Sequence, residues 1–273
     1  APHPFEQHYD RDHTLDFLDD ARRIRRAFSD YADNANQPHA VIVGGGYTGM
    51  ELACNLKYAG HHRNPLPRVT VIELKDTILP FMPDWVRKYM RQRAEKLQVE
   101  LLTGLAVTNF DGRNIELSNG KTMTNIFLCW AAGTTMPLDW LQGEHEQLDD
   151  GRLVVDEYLR IPRHPEVYAV GDCAAVKHKG GYLRQAVNYS IGSGRCAGRN
   201  VVRDLRNRTA KPFHPVDLGW VIPFCDVGVG QLFSKVPLRG KLPLAMYCFM
   251  CGLRNYNWSN RLYFWKQAVK ALF

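Results

Sequence analysis

The sequence of 273 residues holds no run of about 18 apolar residues, the least that crosses a bilayer, so no membrane-spanning helix is expected. No basic segment followed by an apolar one opens it, which argues against a secretory leader. Its seven cysteines are an odd number set mostly within apolar stretches, which speaks against a disulfide framework and for a reducing compartment. Cys248 and Cys251 make one Cys-x-x-Cys, but zinc wants a second pair and a thioredoxin-type site wants a βαβ context; the two read as buried thiols. No solenoid-length repeat occurs, and no Gly-x-Gly-x-x-Gly stands before residue 40.

What is present is the composition of a folded protein, 45% hydrophobic and 23% charged. A net charge of +7 suits nucleic acid, an anionic membrane surface or an anionic cofactor equally, so the position of the charges decides. Residues 14–31 read as a helix capped by Thr14, with Phe17, Ala21, Ile24, Phe28 and Tyr31 on one stripe. Asp16, Asp19 and Asp20 come first and Arg22, Arg23, Arg25 and Arg26 follow, the order that suits the helix dipole, with Asp19 spaced to face Arg23. No aromatic platform is interleaved with these arginines, so nucleic acid is not an expected partner.

Beyond a polar linker at 34–38, strand and helix patterns alternate: strand 40–44, helix 47–59, strand 69–73, helix 83–97 and strand 99–103. Short alternating segments at 105–110, 114–118 and 121–124 are turned by Asp111-Gly112 and Asn119-Gly120, both hairpin signals, and a buried strand at 126–130 closes the unit. This is the α/β class, a parallel sheet covered by helices. Then come a strand at 151–155, a buried strand at 167–170 and a Gly-rich helix at 185–205. Past Pro212 the chain turns apolar and aromatic with scattered Lys and Arg.

The chemistry concentrates at the first strand-to-helix junction. Gly44-x-Gly46-x-x-Gly49 follows a buried strand and opens an apolar helix, the context of a Rossmann dinucleotide fingerprint. Gly44 permits the tight turn, Gly46 lets the backbone approach a pyrophosphate, and Gly49 lets helix and strand pack closely, while the helix N-terminus offers free N–H groups to the phosphates. The next strand ends in Glu73, where an acid binds the adenosine ribose and repels a 2′-phosphate. NAD(H) is therefore expected over NADP(H), a preference that nearby Lys75 softens. At Gly171-Asp172 a strand end presents a second carboxylate, which fits either a ribose or ribityl hydroxyl or an ordinary Asp turn.

The succession GGGYTGMELA, VTVIE, CWAAGTT and VYAVGDCA, with DFLDDARRIRRAF ahead of it, resembles the pyridine nucleotide-disulfide oxidoreductase superfamily. Within it the chain is most similar to the type II NADH dehydrogenases, flavoproteins that pass electrons from NADH through FAD to a membrane quinone. The resemblance implies that Gly44, Gly45, Gly46, Tyr47, Thr48, Gly49 and Glu73 hold NADH, that Glu51 is placed near the nicotinamide, and that Ala132, Gly133 and Thr134 lie beside the dinucleotide. By residue type alone Glu51 is equally a solvated helix residue. Gly171 and Asp172 would meet the FAD ribityl chain, with Gln185 near the flavin; Tyr189 and Ser190 stand where the family carries a pair of glutamines.

The implied architecture is a lead-in helix and linker of the FAD domain (1–37), an NADH-binding Rossmann domain (38–148), the second half of an FAD-binding Rossmann domain (149–210) and a C-terminal attachment segment (211–273). The family's earlier FAD motif is not found, so the chain reads as a piece of the enzyme or as one part of a split protein whose first FAD-binding half another chain supplies. Trp258, Leu262, Trp265, Val269 and Leu272 recur at helical spacing beside Arg261, Lys266 and Lys270, the pattern of an in-plane membrane helix or of a helix docked on protein. With the resemblance, the expectation is a peripheral NADH dehydrogenase on the cytoplasmic face of the membrane, using NAD(H) and FAD with a quinone acceptor. The alternatives are a cytoplasmic NADH-dependent reductase of a soluble electron carrier and a non-catalytic NADH-binding subunit.

Overall fold

The computed structural model describes residues 15, 18–133, 136, 138, 140–233 and 235–273. Thr14, Asp16, Phe17 and Thr134 lie outside them. The chain divides into two compact units, the first running to Gly133 and resuming over Trp220–Gln231 and Pro237–Phe273, the second comprising Thr134–Gly219 and Leu232–Val236.

The first unit opens with α1 (Leu18–Asn34), which buries Ile24, Phe28 and Ala32. Its ion pairs are closer in sequence than the expected Asp19–Arg23 pair: Arg22 meets Asp19 at 2.9 Å and Arg23 meets Asp20, both one i,i+3 step apart, because Asp20 faces inward. Next come β1 (His39–Val43), α2 (Tyr47–Ala59), β2 (Arg68–Glu73), α3 (Asp84–Lys96), β3 (Val99–Thr103), β4 (Val107–Phe110), β5 (Ile115–Leu117), β6 (Thr122–Met123) and β7 (Phe127–Trp130). Strands pair in the order β3-β2-β1-β7, all parallel, with Ile42 opposite Val71 on one side and Cys129 on the other.

Every residue of β1 is buried because both sheet faces are covered, which is why it reads as a continuous apolar run. Ala40, Ile42, Val69 and Val71 face a core shared with Met50, Ala53, Val86, Met90, Ile24 and Phe28. Val41, Val43 and Ile72 face the other way, onto Phe110, Ile115, Leu117 and Met123 of the antiparallel β4-β5-β6 sheet. The two hairpin signals sit at its turns, with Gly112 and Gly120 at φ +96° and +78°.

The second unit contains β8 (Leu153–Val155), β9 (Arg160–Ile161), β10 (His164–Tyr168), β11 (Ala174–His178), β12 (Gly181–Tyr182) and α4 (Val187–Leu205). β8 and β11 run parallel, and β12 hangs antiparallel on β11. The strand expected to be buried at 167–170 is instead β10, which ends at Tyr168, is only half-covered and pairs with β9 alone. Its apolar run suggested a central position; with one ladder partner among the described residues it is an edge.

Returning to the first unit, β13 (Gly219–Phe224), β14 (Val227–Leu232) and β15 (Val236–Gly240) form a meander followed by a hairpin of α5 (Lys241–Arg254) and α6 (Trp258–Leu272). Phe224 and Val229 enter the same core as Met50 and Ala53, and Trp220 stacks on Trp85 with ring centroids 6.1 Å apart. Asn257 caps α6 by accepting from the Ser259 and Asn260 amides. Among the described residues no helix is long and apolar enough to cross a membrane.

Candidate functional site

Sheet order reverses at β1, whose carboxyl end lies between those of β2 and β7, the crevice in which open α/β sheets bind ligands. Gly44 leaves β1 with φ +112°; a methyl there would stand 2.6 Å from the Ala131 carbonyl oxygen. Its amide donates to Ile72 at 2.8 Å, and Ala131 donates to Val43 at 2.8 Å, so the turn is bonded to both flanking strands. A methyl on Gly49 would fall 1.9 Å from the Gly44 oxygen, which makes the close crossing of α2 over β1 possible only for glycine. At Gly46, the N-cap of α2, a methyl meets nothing within 4 Å. The three glycines thus differ: two are filled by protein and one borders open space at a helix N-terminus.

Glu73 ends β2 with both carboxylate oxygens engaged by this loop, accepting from the Gly45 amide at 2.6 Å and the Lys75 amide at 2.9 Å. Gly45 is glycine for the same reason, since a methyl would stand 2.9 Å from Glu73 Cβ. Tyr47 is exposed at the helix start and Thr48 is half-buried behind it. Ala132 and Gly133 follow β7 alongside Gly44, with Gly133 at φ +80° and the Ala132 carbonyl accepting from the Trp130 indole at 3.1 Å. Glu51 is half-buried one turn into α2, and burial raises its carboxyl above the usual carboxylate range. Burial, then the Cys251 thiol and the Glu51 carboxylate, push the Tyr247 phenol up to about 12. The Tyr247 phenol of α5 thus feels the Glu51 carboxylate, a coupling that no sequence pattern announced.

In the second unit Gly171 takes φ +74° and opens a single 3-10 turn through Cys173. The Gly171 amide donates to the Ser193 hydroxyl at 3.0 Å, and the Ser190 hydroxyl donates to Asp172 Oδ1 at 2.9 Å. Gln185 donates from its side-chain amide to the Asp172 carbonyl at 3.1 Å, so Gly171, Asp172 and Gln185 converge. Beside them is a depression of about 10 Å³, room for one water or one hydroxyl. Tyr189 and Ser190 take structural places in this cluster: Ser190 orients Asp172, while Tyr189 is buried beneath the Arg184 guanidinium, 5.3 Å from its ring. The sequence marked Ser190 only as a departure from the family glutamines, and it gave no sign of Ser193, because a serine within a helix is ordinary.

α6 divides the stripe of apolar residues. Trp265 turns inward against Gly252, where a methyl would stand 2.5 Å from the indole, and stacks on Phe249 at 6.1 Å. Trp258, Leu262, Val269 and Leu272 stay exposed. Cys248 and Cys251 are free, half-buried thiols on α5, both raised by burial, and among the described residues no group of three or more His, Cys, Asp or Glu could hold a metal.

A glycine turn at a helix N-terminus, an acid at the end of the next strand and a parallel sheet reversing at that point define a Rossmann-type dinucleotide fold. Residues 3–195 match the pyridine nucleotide-disulphide oxidoreductase family, and the chain belongs to it. It is 30% identical over 204 residues to an NADH dehydrogenase-like protein of Mycobacterium tuberculosis, covering 71% of this chain and 50% of that protein. It is 34% identical over 146 residues to an internal alternative NAD(P)H-ubiquinone oxidoreductase of Solanum tuberosum mitochondria, covering 50% of this chain and 28% of that one. The chain thus spans half or less of the length of these curated relatives. The fold is shared with NDH2 of Plasmodium falciparum solved with NADH, at a TM-score of 0.73 and 15% identity over 96% of this chain and 73% of that one. A ferredoxin reductase of Rhodopseudomonas palustris superposes at a TM-score of 0.62 with 20% identity, over 80% of this chain and 51% of that one.

Proposed function

We propose that the first unit binds NADH and that the second holds part of an FAD, in an NADH dehydrogenase whose final acceptor is a membrane quinone. The observation that carries the NADH reading is the open space at Gly46, the residue after the Gly45 amide that the Glu73 carboxylate holds. The pyrophosphate would lie against Gly46 and the free amides of α2, where the helix dipole favours negative charge. Glu73 would exchange a backbone amide for the adenosine ribose hydroxyls, and its charge would repel a 2′-phosphate. Ala132 and Gly133, a turn without bulk, would let the nicotinamide half pass, with Glu51 beyond it on α2.

In the second unit the Asp172 oxygen not held by Ser190 is suited to one hydroxyl of a ribityl chain, and Gly171 keeps that approach free of a side chain. Flavin, when bound, is the group that takes the hydride. These residues contribute only binding and orientation to that step. The quinone reading rests on the relatives' descriptions and on the outward row Trp258, Leu262, Val269 and Leu272 beside Lys266 and Lys270, which would lie in a membrane surface. A soluble carrier is the second reading, favoured by Tyr189 and Ser190 in place of the family glutamines.

Titration of NADH and NADPH against the protein tests the first step. NADH should bind at least about tenfold more tightly, and Glu73→Ser should narrow the gap. Equal or tighter binding of NADPH by the unaltered protein would remove the assignment of Glu73.

A further inference from the structure

Helix α4 buries Tyr189, Ser193, Ala197 and Asn200 against its own unit, and its opposite side carries a different chemistry. Arg195, Arg199, Arg203, Arg206 and Arg208 line an open depression of about 410 Å³ together with Gly198 and Val202. A side chain at Gly198 would meet nothing within 4 Å, so the middle of the row is left clear. No acid is among the lining residues. Asp204, the one acid of α4, is taken up elsewhere by Arg160 at 2.8 Å and the Tyr168 hydroxyl at 2.6 Å. Among the described residues none of the five guanidiniums has an ion-pair partner.

Helix chemistry accounts for part of the row. The Arg206 and Arg208 amides both donate to the Arg203 carbonyl, at 3.0 and 2.8 Å, which folds these cations around the helix C-terminus where they offset its dipole. Arg195 and Arg199 lie turns earlier and have no such role. Like charges at i,i+4 destabilise a helix, an effect that an anion seated in the depression would reverse.

The shape narrows the occupant. Arg195, Arg199 and Arg203 recur about 6 Å apart along the axis, and the row to Arg206 spans about 16 Å. The span exceeds a single phosphate, and the spacing of about 6 Å equals the separation of carboxylates at i,i+4 on another helix. No aromatic residue lines the depression to stack a base, and Val202 is the one aliphatic side chain among its lining residues, with the exposed Val201 and Leu205 of α4 outside that lining, whereas a lipid-binding helix sets a broad apolar face directly beside its bases. From this placement we infer that the arginine row of α4 is a docking surface for an acidic helical segment of a partner protein. Each guanidinium would take a carboxylate in a forked pair of hydrogen bonds.

The test is fluorescence anisotropy of the full 273-residue protein with a labelled synthetic helical peptide carrying glutamates at i,i+4 spacing. Binding should weaken at least about tenfold as NaCl rises from about 50 to 300 mM. Arg199→Glu with Arg203→Glu should lower affinity by more than about tenfold while NADH affinity stays the same. Should that pair fail to fold, Arg195→Gln with Arg199→Gln, both exposed, gives the same reading with a smaller loss. The inference fails if the folded variants bind the peptide as the unaltered protein does. It also fails if phosphatidylserine vesicles or inorganic tripolyphosphate bind through these arginines more tightly than the peptide.

Discussion

The glycine turn of the first unit and the Gly171-Asp172 turn of the second both present a carboxylate at the end of a strand, yet they are built by different means. The first is made of backbone: Gly44 and Gly49 are in contact with each other, Ala131 closes one side, and Glu73 is held by two amides. The second is made of side chains: Ser190, Ser193 and Gln185 converge on two residues of a short turn. A backbone cradle is fixed by the fold itself and leaves one place, at Gly46, open to a ligand. A side-chain cluster instead orients a single aspartate.

The sharpest way to break this comparison is to offer both cofactors to the 273-residue polypeptide alone. It should bind NADH and fail to carry FAD through gel filtration, since one oriented carboxylate cannot stand in for a pyrophosphate site. The purified protein should be colourless. A yellow protein with equimolar flavin that reduces dyes with NADH would show the second turn to be as complete as the first.

Two alanine substitutions sharpen it inside the first unit. Gly49→Ala places a methyl 1.9 Å from the Gly44 oxygen and should lower stability by about 1–3 kcal/mol, read as a drop in thermal midpoint, along with NADH binding. Gly46→Ala adds its methyl to open space, so the midpoint should hold while NADH affinity falls about tenfold or more. Equal midpoint losses from both would mean that Gly46 is as enclosed as Gly49.

The smallest effect concerns Glu51. Burial raises its carboxyl, so the folded protein holds that proton more tightly than the unfolded chain does. Stability should therefore fall as pH rises from the ordinary carboxylate range through the raised value, and stay lower above it. Glu51→Gln should be the more stable protein in urea melts at about pH 8, with the difference vanishing at about pH 4. If the Glu51→Gln protein were the less stable at both pH values, the carboxylate would have a favourable partner.

Local pattern made much of the first unit legible. α2 and β3 fall where their residues alone put them, at 47–59 and 99–103, because glycine punctuation and buried apolar runs set their limits. The glycine turn and Glu73 were legible together for the same reason. β13 to β15 and α5 were not: Pro223 interrupts an apolar strand pattern, and Pro243 stands in the first turn of a helix whose composition suggested only attachment. Gly228 and Gly230 look like flexible positions in sequence, but they are close-contact points, with methyls falling 2.9 Å from the Leu244 amide and 2.6 Å from Val221. Such contacts join residues that no window of sequence compares. The influence of Glu51 on the Tyr247 phenol is hidden for the same reason.

Phe224 and Val229 belong to the core that also holds Met50, yet they come late in the chain, after the whole stretch 134–219 of the second unit. Synthesis from the N-terminus therefore delivers the glycine turn, the parallel sheet and helices α2 and α3 well before the strands that complete their packing. Until Trp220 arrives, Trp85 on α3 lacks its stacking partner and the helical side of the sheet is unsealed. Closing that core joins segments separated by nearly the whole second unit, which makes it a late and slow step relative to the local hairpins of β4 to β6. A nascent chain paused before residue 220 would expose an apolar helix surface next to an already formed glycine turn.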